Sequence, residues 1–474
     1  MKQYDLIRKV PVEDGYDVVV AGGGPAGSAA AICAGRLGAR VLLIEAMGCL
    51  GGMATSGQVN NFNPMADGEK MLVRGLMEEI VEMMYQRGYL PDYIRPEQWQ
   101  KNLNHWTPFK QEGLKLLLDE LVVKAGVEVR FFTRVIDADT VEDEKRVRGV
   151  VIHNIEGYRY VSAKSFIDAT GDAVLAALCG AYCREPGRDT PYPMPSTLTS
   201  YFAGIDWEHI KLGGINGGIN PAFEQEAIKK AIQDGHFTQP DTHLPGMTRT
   251  GKSIGVLNGG HIFKLNALKC RSLSDGMMFG RKLAVEYMEF YRKYIYGFEH
   301  IEHVTTAVLM GVRESRRILG EYELTYEDYK ARRFFHDQIG VFNNFADVHP
   351  YECNEEELMR SEKEISSKSI WLQKGESYGL PYGIIVPKGW KNLWVAGRCN
   401  SSDIMVHSAI RVQPAAVIMG QAAGTAAVQA IHKNQTADNL DTEELILTLR
   451  KAGAYLPQER LRKKMTRSTD SVKF

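Results

Sequence analysis

At 474 residues the chain exceeds the length at which one hydrophobic core usually stops growing, so two or three domains are expected. Apolar residues make up 44% and charged residues 24%, ordinary values for a soluble globular protein. With 57 Lys+Arg against 58 Asp+Glu, no global field draws the chain to nucleic acid or to an anionic membrane surface.

No apolar run approaches the ~18–20 residues of a membrane span, and residues 1–14 lack the apolar stretch of a secretory signal. The 7 cysteines are odd in number and contain no C-x-x-C pair, which favours reduced thiols in a cytoplasmic protein. Cys179 and Cys183 could share a helix face, but two thiols do not make a four-ligand zinc site. They read as packing residues, and no metal site is expected.

Residues 16–21 (YDVVVA) read as a buried strand, 25–37 as an Ala-rich helix and 40–45 (RVLLIE) as a second strand. Together they have the size of one βαβ unit, about thirty residues. Between strand and helix lies Gly22-Gly23-Gly24-Pro25-Ala26-Gly27, a G-x-G-x-x-G loop in the context that a dinucleotide fingerprint requires. Gly22 permits the tight turn, Gly24 lets the backbone approach a pyrophosphate, and Gly27 lets helix and strand pack. The helix N-terminus supplies free N–H groups for the phosphates. Glu45, followed by Ala46, ends the second strand where its carboxylate can accept from a ribose diol. Directly behind it comes a second glycine-rich loop, in which Gly51, Gly52, Met53, Ala54 and Thr55 can contact a ribityl-pyrophosphate chain.

Residues 56–108 look like an insertion, with a helix at 73–87 and Asn60 and Asn61 as candidate pocket amides. An amphipathic helix is expected at 110–125, with Leu114, Leu117, Leu118, Leu121 and Val122 on one face. A strand follows at 127–132, and Val135 just beyond it is a candidate cofactor contact. Residues 146–152 and 158–163 read as a hairpin. A strand at 165–170 (SFIDAT) then closes on glycine and brings Ala169, Thr170, Gly171 and Asp172 to the dinucleotide.

From residue 184 the pattern changes to glycine-rich loops (213–218 and 251–260) and aromatic helices with few parallel-strand signals. The run Arg313, Glu314, Arg316, Arg317 reads as helical, with Arg313 sharing a face with Arg316 and Arg317. Either Arg313 anchors a substrate or the run is a solvated, salt-bridged face. Trp371, Tyr378 and Tyr382 read as packing residues. The strand 393–396 (LWVA) ends at Gly397-Arg398, a second turn of the kind that returns to a dinucleotide. The Ala-rich helix at 414–431, with Gly420 and Gly424, starts at a proline suited to a first turn. Its N-terminal residues Gln413, Ala415 and Ala416 face the pyrimidine edge of a flavin, where a reduced ring carries negative charge. The tail from Arg460 is basic and polar.

Two returning turns and a second glycine loop favour FAD over NAD, and no second G-x-G-x-x-G marks a separate nicotinamide domain. The fold class is therefore α/β: a Rossmann-like FAD-binding domain, with a mixed sheet, helices and a small antiparallel β-element, plus an inserted α+β cap. The expected boundaries are 1–183 with 385–435 for the FAD domain, 184–384 for the cap or substrate domain, and 436–474 for a C-terminal helix and tail.

The motifs GGGPAG (22–27), GGMATSG (51–57), IDATGD (167–172), GVRESRRILGEYELT (311–325) and VAGRCNSSD…HSAIRVQP…GQAAG (395–424) span nearly the whole chain. In them the sequence resembles the bacterial FAD-dependent oxidoreductases related to fumarate reductase and succinate dehydrogenase flavoproteins. The resemblance implies a substrate held between cap and isoalloxazine. It also places His407 and Arg411 at the spacing of the His-x-x-x-Arg segment with which fumarate reductases hold substrate carboxylates. His407 can titrate near neutrality and Arg411 can grip an oxyanion; the plainer alternative bonds His407 to a backbone carbonyl and Arg411 to a structural acid. With Arg313 they are the candidate catalytic residues. No counterpart of the histidine that carries covalent FAD in succinate dehydrogenases is present, so non-covalent FAD is expected. The expected function is hydride transfer between FAD and a small organic substrate. The alternatives are an FAD-holding component reduced by a protein partner, disfavoured by the lack of a C-x₂-C-x₂-C run, and an NAD-dependent dehydrogenase. Dimerisation is a prior only, from the commonness of C₂ assemblies.

Overall fold

Val18, Val19, Val20 and Ala21 are fully buried in the computed structural model, the mark of a strand covered on both faces. They end β1 (Val12–Ala21). The structure describes residues 7–457 except 216, 244–245 and 368–369, so the basic tail lies outside the described residues. After β1 come α1 (Pro25–Arg36) and β2 (Val41–Ile44), which pairs parallel with β1. α2 (Gln111–Lys124) turns Leu114, Leu117, Leu118, Leu121 and Val122 inward, as its spacing predicts. It leads into β3 (Glu128–Arg130), parallel on the outer edge of β2.

The chain then forms an antiparallel meander of β4 (Arg134–Val141), β5 (Arg146–Asn154) and β6 (Gly157–Asp168). β6 is parallel to β1 along one edge. Its other edge is divided: residues 157–162 bond β5, and Phe166, Ile167 and Asp168 lie opposite the much later β7 (Leu393–Val395). The hairpin arm expected at 158–163 and the returning strand at 165–170 are thus one continuous strand. The parallel part has the order β3-β2-β1-β6-β7, a Rossmann-like α/β sheet with the small antiparallel element attached.

Side chains of β1 alternate between two cores: Val18 and Val20 join the larger one, Tyr16, Val19 and Ala21 the one on the opposite face. A further core, spanning Leu198 to Met310, lies between a four-stranded antiparallel sheet and the helices Pro221–Gln233 and Cys270–Tyr294. The segment 184–384 is divided between cores, because Leu324, Tyr329, Phe342, Tyr378, Tyr382 and Ile384 pack in the larger one. Tyr378 and Tyr382 are packing residues there, and Trp371 stacks on Phe345 at 4.1 Å.

Two helices close the chain's contribution to the sheet, α3 (Ile404–Ile410) and α4 (Gln413–Lys433). A Cβ on Gly420 would sit 2.1 Å from the Ala26 carbonyl oxygen, and one on Gly424 2.2 Å from that of Ala30. The backbones of α1 and α4 therefore touch, and only glycine fits at the crossing. Helix α4 has the length and hydropathy of a membrane span, but 94% of its apolar window is buried inside the protein.

Candidate active site

Four glycine turns meet at the C-terminal ends of the parallel strands, where ligands bind in open α/β sheets. Gly22 has φ +95, and a Cβ there would lie 2.6 Å from the Ala169 carbonyl oxygen. Its N–H donates to the Ile44 carbonyl at 2.7 Å, which seats the loop on β2. A Cβ on Gly52 would fall 2.9 Å from the Gly24 Cα, and the Gly51 N–H donates to the Gly23 carbonyl at 2.8 Å. Gly397 approaches the Cβ atoms of Ala26 and Ala416, and the Arg398 Nε donates to the Gly171 carbonyl at 2.8 Å. Loops from four distant parts of the sequence thus share one concave surface.

That surface fits a dinucleotide. Gly24, the N-cap of α1, has no side-chain cap, and a Cβ on it would meet nothing within 4 Å. The first turn of the helix therefore presents bare N–H groups to an open space. α4 likewise begins without a side-chain cap, and the buried Gln413 Oε1 there has no hydrogen-bond partner while its Nε2 donates to the Val59 carbonyl at 2.6 Å. Glu45 stands beside the loop, its two carboxylate oxygens accepting from the Gly23 and Met47 N–H groups at 2.6 and 2.7 Å. Burial raises its carboxyl above the usual range and these N–H groups draw it back. Ala46 follows it, Met53 and Ala54 lie in the 3₁₀ turn Gly52–Ala54, and the Thr55 hydroxyl donates to the Leu50 carbonyl at 2.6 Å. Thr170 and Asp172 belong to the turn after β6, in which the Asp168 carboxylate accepts from the Thr170 N–H at 3.0 Å and the Ala176 N–H at 2.8 Å. The Asp172 carboxylate pairs with Arg398. Val135 lies on β4, two residues past Thr133, whose N–H donates to the Glu45 carbonyl at 3.0 Å. Pro25 and Ala415 occupy the first turns of their helices.

The three candidate catalytic residues also meet. The run 313–316 is not helical, contrary to the spacing argument; it is an irregular segment that leads into the short strand Arg317–Ile318. Of the four charged side chains at 313–317, Arg313, Glu314 and Arg317 are buried and Arg316 is partly so, and they separate to individual partners. The Glu314 carboxylate accepts from the N–H groups of Gly187 and Met194. Arg317 pairs with Asp189 at 2.7 Å, and Arg316 donates to the Asp172 carbonyl at 3.4 Å. Arg313 is 8% exposed and donates to the Pro195 carbonyl at 2.8 Å. Burial, with Arg411 adding to it, lowers its guanidinium to about 9, still protonated at neutral pH.

His407 sits inside α3, fully buried, with its Nε2 3.2 Å from the Arg313 carbonyl oxygen. Burial, reinforced by Arg317 and Arg411, holds its imidazole well below the usual range. The expectation that it titrates near neutrality is therefore wrong: desolvation keeps it neutral and its donor is spent on a backbone carbonyl. Arg411, one turn on, pairs with the Asp347 carboxylate at 3.0 Å. Burial lowers Arg411 and Asp347 opposes this; burial would raise Asp347, but His349, Arg411 and Arg313 hold it well below the carboxylate range. Both plainer readings of His407 and Arg411 thus describe their contacts. Asn60 and Asn61 are buried; Asn60 donates to the Phe109 carbonyl at 3.4 Å and Asn61 to the Thr248 hydroxyl at 3.3 Å, while the Asn61 Oδ1 lacks a partner.

Sequence reasoning missed Asp347 and three histidines beside it, His243, His261 and His349, which the fold brings into mutual contact. Each is a lone histidine in its own segment, without a spacing motif, so nothing local marks it.

Fold and site together define a flavin-type dinucleotide-binding protein. The chain belongs to the FAD-dependent oxidoreductase family, whose model matches residues 17–449, and FAD is its cofactor. Among solved structures it is similar to a geranylgeranyl bacteriochlorophyll reductase-like protein from Thermoplasma acidophilum, at 14% identity over 93% of this chain and 83% of that one, with a TM-score of 0.45. It is also similar to p-nitrophenol 4-monooxygenase from Pseudomonas putida, at 11% identity, 95% and 92% coverage and a TM-score of 0.46. A third is L-proline dehydrogenase from P. horikoshii, at 12% identity, 90% and 95% coverage and a TM-score of 0.41. No curated protein matches the sequence significantly.

Proposed function

We propose that the protein transfers hydride between non-covalently held FAD and a small anionic organic substrate bound at Arg313 and Arg411. The observation that carries this reading is Arg313. It is a buried guanidinium with no carboxylate at ion-pair distance among the described residues: it donates to the Pro195 carbonyl, and Asp347 and Asp241 answer its charge only from further off. An unpaired buried cation is costly, and a substrate carboxylate or other oxyanion relieves that cost. The neighbouring Val312 carbonyl accepts from Arg398, which ties the Arg313 segment to the turn after β7 and so to the flavin cradle.

FAD, when bound, supplies the hydride donor or acceptor. Gly24, Gly52 and the N-terminus of α1 would hold its pyrophosphate, Glu45 its ribose, and the start of α4 its flavin end. Arg313 orients the substrate anion and Arg411, steadied by Asp347, adds positive charge on the α3 side. His407 acts by position: its hydrogen bond to the Arg313 carbonyl clamps that segment against α3.

The test is anaerobic. Small carboxylic acids, alcohols and amines are screened for bleaching of the flavin absorbance, with acids expected to be the active class. Arg313→Met is the cleaner variant, because Arg411→Ala takes from the partly buried Asp347 carboxylate its arginine partner. Arg313→Met should keep FAD and lose substrate-dependent bleaching by about 10²-fold or more, as when a buried charge partner is removed. Unchanged turnover takes Arg313 out of the reaction, and reduction only by a protein donor replaces the small-substrate reading with an electron-transfer one.

A further inference from the structure

His243, His261 and His349 come from two loops and a short strand, and each offers one ring nitrogen within 4.8 Å of the other two. His261 and His349 are buried, and their facing nitrogens, Nε2 and Nδ1, are 2.9 Å apart. The His243 ring packs on both, with centroids 4.6 Å from His261 and 4.8 Å from His349.

A neutral imidazole has one N–H and one bare nitrogen. On the far side of His261, an Asp241 carboxylate oxygen lies 3.0 Å from Nδ1, though off the direct line of a hydrogen bond. On the far side of His349, an Asp347 oxygen lies 3.3 Å from Nε2. A carboxylate beside a ring nitrogen favours the tautomer that carries its proton there. With both protons outward, the two inward nitrogens face each other as lone pairs at 2.9 Å. Turning either proton inward to make an N–H···N bond leaves a bare nitrogen against a carboxylate instead. No arrangement of two neutral rings satisfies all four contacts, so the geometry calls for a cation between the rings.

We infer that His243, His261 and His349 form a binding site for one divalent first-row transition-metal ion, with Asp241 and Asp347 as the carboxylates that orient the imidazoles. A shared proton would need two rings only, whereas here a third ring brings a nitrogen within 4.8 Å of both, so that His243 has to draw inward on loading to meet the reach of about 4.2 Å that two such bonds allow. Metal–imidazole bonds of about 2.1 Å spanning the 2.9 Å separation subtend an angle of about 90° at the metal. That angle belongs to adjacent positions of a five- or six-coordinate ion rather than to tetrahedral zinc. Three histidines therefore leave positions open to water or to a ligand oxygen. The two carboxylates offset the charge of a divalent ion.

The flavin-loaded full chain is dialysed anaerobically against Fe²⁺, Ni²⁺ or Zn²⁺, washed, and its metal content measured. About one ion per chain is expected, with Fe²⁺ or Ni²⁺ held more tightly than the geometry allows for Zn²⁺. X-ray absorption of the Ni²⁺-loaded wild type should show about three imidazole nitrogens near 2.1 Å. His243→Gln and His349→Gln should abolish retention, and Asp241→Asn should weaken it about 10–100-fold, with flavin absorbance as the check that each variant is folded. The exposed His209→Gln should change nothing. Absence of stoichiometric ion with all three metals, or fewer than two imidazoles around Ni²⁺ in the wild type, overturns the inference without any variant. It would leave the flavin reading untouched.

Discussion

At the scale of single residues, the strongest constraints come from glycines whose missing Cβ serves different purposes. Gly27 has no room: a Cβ would lie 1.7 Å from the Gly22 carbonyl oxygen. Gly24 has ample room, and its φ of −67 suits any residue. Gly27→Ala should therefore destabilise the fold itself, by roughly 2 kcal/mol or more as overpacking does, read by urea unfolding of the apoprotein. Gly24→Ala should leave that unfolding curve within about 0.5 kcal/mol of wild type and weaken FAD by at least about tenfold, because the methyl enters the pyrophosphate space. If Gly24→Ala binds FAD as tightly as wild type, Gly24 does not face the cofactor. Both glycines were legible in the sequence, since the loop is contiguous and its neighbours on either side are regular elements. The histidines were not legible, because their meaning lies only in the distances between rings from unconnected segments.

At the scale of elements, polarity decided what the sequence disclosed. α2, with five leucine or valine residues on one face, has the predicted face and nearly the predicted ends. β4 (RVIDADTV) carries three charges in eight residues and has no fully buried position, so it gives no strand signal in the sequence although it pairs with β5 along its length, with two register shifts. β6 breaks in the sequence at Ser162-Ala163-Lys164, where its partner changes from β5 to β7. The arginine run at 313–317 imitates a helix because its charges fall at helical intervals, yet each guanidinium finds its own partner, two of the three in the interior.

The helix Pro221–Gln233, in the core that spans Leu198 to Met310, supplies a further test. Glu224 is buried and accepts from the Tyr291 hydroxyl at 2.6 Å. Burial pushes its carboxyl up from 4.5 to about 7, against the pull of that hydroxyl. The folded chain therefore holds this proton more tightly than the unfolded one. The stabilisation is complete below pH 4.5 and is lost as the pH rises through about 7, on the order of 3 kcal/mol for this shift. Glu224→Gln should flatten the dependence, so that the variant gains on wild type between pH 5 and 8 in thermal melts. Parallel curves for the two proteins would show that Glu224 is ionised in the fold.

At the scale of the whole molecule, the flavin is expected to act as a fastener for segments that share no sequence neighbourhood. Saturating FAD at about 100 times Kd adds about 2.7 kcal/mol to the stability of the state that binds it. Hydrogen exchange should show this locally. Adding FAD to stripped protein should slow exchange at residues 22–28, 51–57 and 413–416 together, and leave the helix Cys270–Tyr294 nearly unaffected. Equal protection of that helix would mean that the cofactor contacts its core as much as the sheet. The glycine motifs made this architecture readable from the sequence at the outset; the division of residues 184–384 between cores was not readable, because aromatic residues look alike whichever core they fill.

The split edge of β6 sets an order of events during synthesis. Until residues 393–395 leave the ribosome, the upper half of that strand has no neighbour on one side, and until α4 follows, α1 has no backbone to lie against. A nascent chain stalled between residues 60 and 392 carries the fingerprint loop but lacks the walls that the Gly397 turn and α4 supply. Such fragments are expected to take up no flavin, and the yellow colour to arise only near the end of translation; flavin absorbance of stalled chains is the measurement that checks it.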